Sequence, residues 1–174
     1  MTTTTTKIDA PPSDYVLAIG ASSISFKTRH MYGLGPVKGQ LSVRSGNLHI
    51  VEGIAGSAVH AVVEASSFAT HNPIRDLHVR SRMFLGVKKH PTWTYESNSV
   101  VQEGADLVVN GTFTVRGNSA PVSIVVDRAE VAPSGELTIH AHGEIDRYAL
   151  GVTRLRGMAA RLLSFDIELT AKTA

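Results

Sequence analysis

The sequence predicts a mainly β protein whose antiparallel sheet closes or folds onto itself and carries one α-helix. Three observations support this fold class. Apolar and polar residues alternate in about ten short segments, which is the period of strands with one face in solvent. Clusters of Gly, Pro, Ser and Asn separate these segments. A single segment near the middle of the chain has the start and stop signals of a helix instead.

The strand pattern is clearest in three segments, residues 107–116, 137–145 and 163–170, each with an apolar side and a polar side. Shorter strand candidates are residues 14–19, 23–29, 37–43, 48–51, 59–65, 92–97 and 122–128. Turns are predicted at residues 33–36, 45–47, 117–118 and 133–135. Strands at such short spacing favour an antiparallel sheet over a parallel one.

The predicted helix begins after Asn72. Asn is a favoured N-cap, and Pro73 suits the first helical position because its missing N–H would have no partner there. Asp76 favours the positive N-terminal end of the helix and has the spacing to pair with Arg80. The helix is expected to end near residues 81–82. One of its faces carries Ile74, Leu77 and His78.

Composition limits the class of protein. The 174 residues carry a net charge of +2 and no cysteine, which excludes disulfides, thiol catalysis and thiolate metal sites. We expect a disordered leader at residues 1–13 and a single domain at residues 14–174. The chain has neither a signal-peptide pattern nor an apolar run long enough to span a membrane, so a cytoplasmic location is expected. No Lys/Arg run is dense enough to predict nucleic-acid binding.

The sequence leaves open whether the inside of the sheet is filled. Six of the 18 apolar-side residues in the segments 37–43, 59–65, 107–115 and 137–145 are Gly or Ala, among them Gly39, Gly111 and Gly143. Small inward residues either leave an apolar slot or fit the taper of a packed barrel. No inward position carries a charge, so an occupant of such a slot would be largely apolar.

No pattern of catalytic or metal-binding residues stands out. His140 and His142 share one strand face, but it is the polar face and no third ligand follows at a readable spacing, so no metal site is expected. The chain has no nucleophile elbow and no phosphate-binding loop. Trp93 and Tyr95 lie on the same side of one strand, where they either pack in the core or line a slot.

One stretch resembles the signature of a known family. The run Arg75-Asp76-Leu77-His78-Val79-Arg80-Ser81, preceded by Thr70 and followed by Phe84, Val87 and Pro91, is similar to that of the YceI-like family of lipocalin-like, polyisoprenoid-binding proteins. Residues 23–30 and 37–39 resemble the first hairpin of the family, residues 111–117 and 121–122 its central hairpin, and residues 145–147 a later one. The resemblance covers residues 14–171. It departs at His90, where an aromatic residue usually precedes the proline, at residues 148–151 and at Leu163.

The resemblance implies an extended antiparallel eight-stranded β-barrel with one helix, enclosing an apolar tunnel for a polyprenyl lipid or a quinone tail. It also implies that Arg75 and Asp76 hold the helix to the barrel and are not catalytic, and that the protein forms a homodimer. The predicted function is carriage or sequestration of an isoprenoid lipid or quinone, without another cofactor. The residues expected to contact this ligand, chosen by their inward register, are Ile24, Phe26, Leu41, Phe84, Trp93, Phe113, Ile139 and Leu169.

Two other functions remain open at this stage. One is an enzyme that acts on a small apolar substrate, with His30 or His78 as its acid–base group; it requires a histidine that faces inward. The other is a stress-related structural protein with a fully packed barrel, which requires that no cavity be present.

Overall fold

The computed structural model describes residues 10–28, 37–153 and 161–174. This part of the chain forms nine strands and one helix, and every strand pairing is antiparallel. In chain order the elements are β1 (Ser13–Leu17), β2 (Ser23–Thr28), β3 (Val37–Ile50), β4 (Ala58–Ala69), α1 (Pro73–Arg80), β5 (Thr92–Glu103), β6 (Asp106–Val115), β7 (Asn118–Val131), β8 (Leu137–Asp146) and β9 (Leu162–Thr173).

The sheet closes into a barrel with eight strand positions. From β2 to β9 each strand pairs with the next one in the chain, and β9 returns to pair with β2, where Phe26 lies opposite Phe165. Strand β1 pairs with the same two neighbours as β2, namely β3 and β9, so β1 and β2 share one position in the barrel. The predicted lipocalin-like, eight-stranded antiparallel barrel with one helix is confirmed.

The turn predicted at residues 45–47 is wrong, because β3 continues through them from Val37 to Ile50. Gly46, the glycine of this segment, allows neighbouring strands to come close to β3 and does not form a turn. A Cβ added to Gly46 would come within 2.5 Å of Leu17 Cδ1 and 2.7 Å of the His60 carbonyl oxygen. Gly46 therefore lets the Leu17 side chain of β1 lie directly against β3.

The two ends of the barrel differ. The helix end carries α1, together with the β6–β7 turn at Arg116 and Gly117. The opposite end carries the β3–β4, β5–β6 and β7–β8 connections. Within the described ranges, no helix has the length and apolar character that crossing a membrane would require.

Helix α1 begins as predicted, since the Arg75 backbone N–H donates to the Asn72 side chain at 3.1 Å. The face predicted to carry Ile74, Leu77 and His78 does not pack on the barrel. Ile74 is 83% exposed and Leu77 is 74% exposed, whereas the buried residue of the helix is Asp76. An apolar spacing alone does not show which side of a short helix meets the protein.

Polar contacts hold α1 to the end of β4. The Asp76 carboxylate accepts from the Thr70 backbone N–H at 3.0 Å, and Arg75 Nε donates to Thr70 Oγ1 at 2.8 Å. Arg80 Nε donates to the Phe68 carbonyl oxygen at 2.9 Å, so the predicted Asp76–Arg80 contact is replaced by one to the backbone. Arg75 and Asp76 thus make the structural contacts expected of them.

The environment of Asp76 favours its charged form. Burial raises the pKa of this carboxyl, but hydrogen bonds from Thr70 and the positive charges of Arg80 and Arg75 outweigh burial and leave the pKa below its ordinary value of 3.8. The carboxylate therefore remains ionised at neutral pH while it anchors the helix.

Candidate ligand cavity inside the barrel

The barrel encloses a cavity of about 310 Å3 whose wall is almost wholly apolar. All the strands from β2 to β9 contribute side chains to it. Its lining extends from Ile54 and Ser57, at the opposite end, to Phe84 and Leu150 at the helix end. Of the two interpretations of the small inward residues, the structure favours a hollow barrel over a packed one.

All eight residues predicted to contact a ligand lie on the wall of this cavity: Ile24, Phe26, Leu41, Phe84, Trp93, Phe113, Ile139 and Leu169. Seven of them lie on strands, where the two-residue period fixes which face a side chain occupies. That they bind a ligand stays a prediction.

The inward glycines do not themselves form the cavity, because aromatic rings cover them. A Cβ added to Gly143 would lie 2.6 Å from Phe165 Cζ, and one added to Gly111 would lie 2.5 Å from the Tyr95 ring. Gly39 is covered in the same way by Phe26, its partner across the strand pair. In each case a ring from a neighbouring strand fills the place of the missing side chain and lies against the wall, which leaves the middle of the barrel open.

Tyr95 contributes a neutral phenol to the wall. Its hydroxyl donates to the Val122 carbonyl oxygen at 3.0 Å, with the Val109 carbonyl oxygen at 3.3 Å. Burial raises the pKa of Tyr95 to about 12, so the group carries no charge at neutral pH. The phenol is therefore a structural polar group inside an apolar wall.

Two polar atoms of the wall have no hydrogen-bond partner in the described part of the chain. They are Trp93 Nε1 and Thr28 Oγ1, and both belong to cavity-lining residues in the half of the barrel nearest α1. Trp93 is 6% exposed, and its ring packs edge-on against Phe113 with ring centres 6.0 Å apart. An indole N–H without an acceptor is costly in such a place, so this position suits a ligand that carries one.

Sequence reasoning identified Trp93 but missed Thr28 as a lining residue. The signal was present, because Thr28 follows Ile24 and Phe26 at intervals of two along β2 and so shares their face. The predicted strand at residues 23–29 included Thr28, but only apolar residues of that face were expected to contact a ligand.

The YceI-like domain model matches residues 15–174 of the chain. The protein belongs to the YceI-like family. A UPF0312 protein of Vibrio parahaemolyticus is 36% identical over 171 residues, covering 96% of this chain and 84% of that protein. Such agreement over almost the full length of the described barrel places the whole domain, and not one motif, in the family.

Solved structures agree on the fold. Burkholderia cenocepacia BcnA superposes with a TM-score of 0.73 at 17% identity, covering 87% of this chain and 96% of that one. A polyisoprenoid binding domain from Saccharophagus degradans has a TM-score of 0.62 at 15% identity, covering 92% of this chain and 98% of that one. At these identities the likeness establishes a shared architecture.

The segment that carries the YceI-like signature caps the cavity at the helix end. Arg75 and Val79 of α1 line it, as do Phe84 and Leu85 of the segment that follows. The Phe84 carbonyl oxygen accepts from Arg116 Nη1, which ties this cap to the β6–β7 turn. The signature residues thus build one end of the cavity.

Arg147 is the other cation of the cavity wall in the described residues. It is 7% exposed, and its Nη1 donates to the Val152 carbonyl oxygen at 2.7 Å. Its guanidinium also lies 4.8 Å from the centre of the Tyr148 ring. The Arg147 guanidinium is therefore bound by residues of the segment that follows β8.

The histidines of the alternative hypotheses do not face the cavity where they are described. His78 is exposed and packs edge-on against Phe84 from outside, with ring centres 5.0 Å apart. His30 lies outside the described residues. His140 and His142 are on the outer face as predicted, where His140 contacts Arg128 at 3.1 Å and His142 contacts Asp127 at 2.9 Å.

Proposed function

We propose that this protein binds the chain of an isoprenoid lipid or isoprenoid quinone in the barrel and carries or sequesters it. The observation that carries the proposal is the continuous apolar cavity, which reaches from one end of the barrel to the other. An engineered apolar cavity of about 150 Å3 already admits benzene. At about 310 Å3, this one has room for a longer apolar group.

Burial of the ligand's isoprenoid tail would supply the binding affinity. At about 25 cal/mol per Å2, a tail that buries about 300 Å2 gains about 7–8 kcal/mol before the cost of its immobilisation. Among the described residues the wall offers no free charge to the ligand, since Arg75 is bound to Thr70, Arg147 is bound to the Val152 carbonyl oxygen and the Tyr95 phenol is neutral. The proposed role is binding without catalysis.

Trp93 Nε1 and Thr28 Oγ1, which have no hydrogen-bond partner among the described residues, would set the direction of the ligand. Because both belong to the half of the barrel nearest α1, a neutral polar group such as a quinone carbonyl or a hydroxyl would lie there. The tail would then extend toward Ile54 at the opposite end. The structurally similar domain from Saccharophagus degradans, described as a polyisoprenoid binding domain, supports this ligand class.

Trp93 is the only tryptophan of the chain, and it lies on the cavity wall, so its fluorescence reports occupancy directly. We expect a short-chain isoprenoid quinone to quench this fluorescence with saturation at one equivalent. Farnesol, which has the chain but not the quinone ring, should displace the quinone and restore the signal. Native mass spectrometry of the purified protein should show the same one-to-one complex.

A variant that fills the cavity separates binding inside the barrel from binding elsewhere. Ala141→Leu adds bulk at a lining position, whereas Thr138→Leu makes a similar change on the other face of β8. We expect the first variant to weaken quinone binding at least about tenfold and the second to leave it unchanged. Equal binding by both variants, or quenching without saturation, would contradict the proposal.

A further inference from the structure

Three apolar side chains stand out in solvent at the helix end. Ile74 is 83% exposed, Leu77 is 74% exposed and Met83, just after α1, is 50% exposed. They face outward because the helix is attached to β4 through Asp76 and Arg80, so its apolar side has no partner in the described barrel. We call these three residues the apolar patch.

Cations surround the apolar patch. Residues 70–92 contain five Lys and Arg side chains against one acid, Asp76, which is buried and bound to Thr70. Arg82, Lys88 and Lys89 are exposed, and none of them makes an ion pair with a described residue. The positive charge of this end is therefore available to a partner.

The opposite end of the barrel has the reverse charge. The loops and strand ends at residues 51–57, 103–106 and 130–137 contain five acids and no Lys or Arg, and Lys172 at the end of β9 is the cation nearest to them among the described strand ends. The acids are Glu52, Glu103, Asp106, Glu130 and Glu136. A net charge of only +2 thus conceals a strong separation of charge along the barrel axis. A negatively charged surface attracts the helix end and repels the other.

We infer that the helix end docks on an anionic lipid membrane. In this arrangement the apolar patch enters the boundary between headgroups and acyl chains, and Arg82, Lys88 and Lys89 contact lipid phosphates. Apolar side chains beside cations are the combination that interfacial membrane binding uses. A second copy fits less well, because two basic ends would face each other. Nucleic acid fits less well, because the apolar side chains would stay in water.

Docking would also orient the cavity. Val79 and Phe84, which line the cavity, belong to the same segment as the apolar patch. The capped end of the cavity would therefore lie against the bilayer. This inference goes beyond the proposed function and does not depend on it, because docking requires the outer surface of α1 and not an occupied barrel.

Vesicle co-sedimentation of the full chain tests the inference. We expect sedimentation with phosphatidylcholine vesicles that contain about 30% phosphatidylglycerol, and little with phosphatidylcholine alone. Raising the salt concentration from about 50 mM to 500 mM should release most of the protein, because exposed charges are then screened. Failure to sediment with the anionic vesicles would overturn the inference, even if the barrel binds its quinone.

Matched variants locate the docking surface. Ile74→Ser with Leu77→Ser should reduce vesicle binding at least about tenfold, and Lys88→Glu or Lys89→Glu should each do the same. The controls are Ile19→Ser, which alters an equally exposed apolar residue between β1 and β2, and Lys172→Glu, which alters a cation on β9 near the opposite end. Both controls should bind like the wild type.

Two outcomes would overturn this assignment. One is an equal loss of vesicle binding in the controls and in the helix-end variants. The other is a dimer in analytical ultracentrifugation that Ile74→Ser with Leu77→Ser dissociates while vesicle binding is absent, which would assign the apolar patch to a second copy of the chain. Circular dichroism confirms that each variant is folded before it is compared.

Discussion

The ring of Phe165 on β9 lies over Gly143, its partner across the strand pair on β8. No side chain larger than hydrogen fits beneath that ring, because a Cβ at Gly143 would lie 2.6 Å from Phe165 Cζ. The ring is thereby held against the wall of the cavity. Phe26 covers Gly39 and the Tyr95 ring covers Gly111 as well, so flat aromatic faces are a repeated feature of the wall.

Gly143→Ala should therefore push the Phe165 ring into the cavity. We expect the free energy of unfolding to fall by about 1–3 kcal/mol, the usual cost of overpacking, in guanidinium chloride titrations. Quinone binding, followed by Trp93 fluorescence, should weaken as well. A matched double variant, Gly143→Ala with Phe165→Leu, should recover much of the lost stability because the ring is gone. Purely additive losses would contradict the proposed contact.

Tyr95→Phe should reduce stability while keeping the ring over Gly111. The loss of the hydrogen bond to the Val122 carbonyl oxygen should cost about 0.5–1.5 kcal/mol at neutral pH. Because burial raises the pKa of Tyr95 from 10.0 to about 12, the folded state disfavours the phenolate. The contribution of Tyr95 to the free energy of unfolding is therefore fully present below pH 10 and is lost as the pH rises toward 12. Denaturant titrations at several pH values should show a smaller alkaline loss in Tyr95→Phe than in the wild type.

Asp76→Asn should loosen the attachment of α1. The pKa of Asp76 is lowered in the folded protein, so its contribution to stability is present above about pH 4 and is lost as the pH falls through the folded value. We expect the variant to lose about 1–3 kcal/mol at pH 7 and to show a weaker dependence on acid. Hydrogen exchange of the Thr70 amide would measure the local effect. Protection of that amide equal to the wild type would contradict this role.

Trp93→Phe should change which ligands bind well. Phenylalanine keeps an aromatic wall but removes the Nε1–H, which has no acceptor among the described residues. For a quinone the affinity should fall about two- to tenfold, the worth of one hydrogen bond, in calorimetric titrations. For farnesene, an isoprenoid hydrocarbon without an acceptor, it should stay the same or improve. An equal loss for both ligands would show that Trp93 acts through shape alone.

The lining residues were predictable from the sequence because alternation in a strand has only two faces. Ile24, Phe26 and Phe113 follow from the period of two and need no knowledge of the partner strand. The covering of Gly39 and Gly143 was not predictable, because it depends on the register that brings Phe26 and Phe165 opposite them. Register depends on both strands of a pair, so it cannot be predicted from the pattern of either strand alone.

The helix shows the reverse case. Its start at Asn72 and its length follow from local capping rules, which act within a few residues. Its orientation does not, because Asp76 and Arg80 bind the backbone of β4 and override the apolar spacing of Ile74 and Leu77. Which side of a short helix is buried is decided by the element it joins.

The pairing of β2 with β9 brings Phe26 and Phe165 together from nearly opposite ends of the chain. Seven of the eight strand pairs around the barrel join strands that follow each other in the chain, but the eighth, β2 with β9, must wait until β9 has been synthesised. Until then the apolar inner surface is open to water and to other chains, and closing it requires contacts of high sequence separation, which form slowly. The protein is therefore most prone to aggregate during folding, before β9 pairs with β2 and closes the barrel.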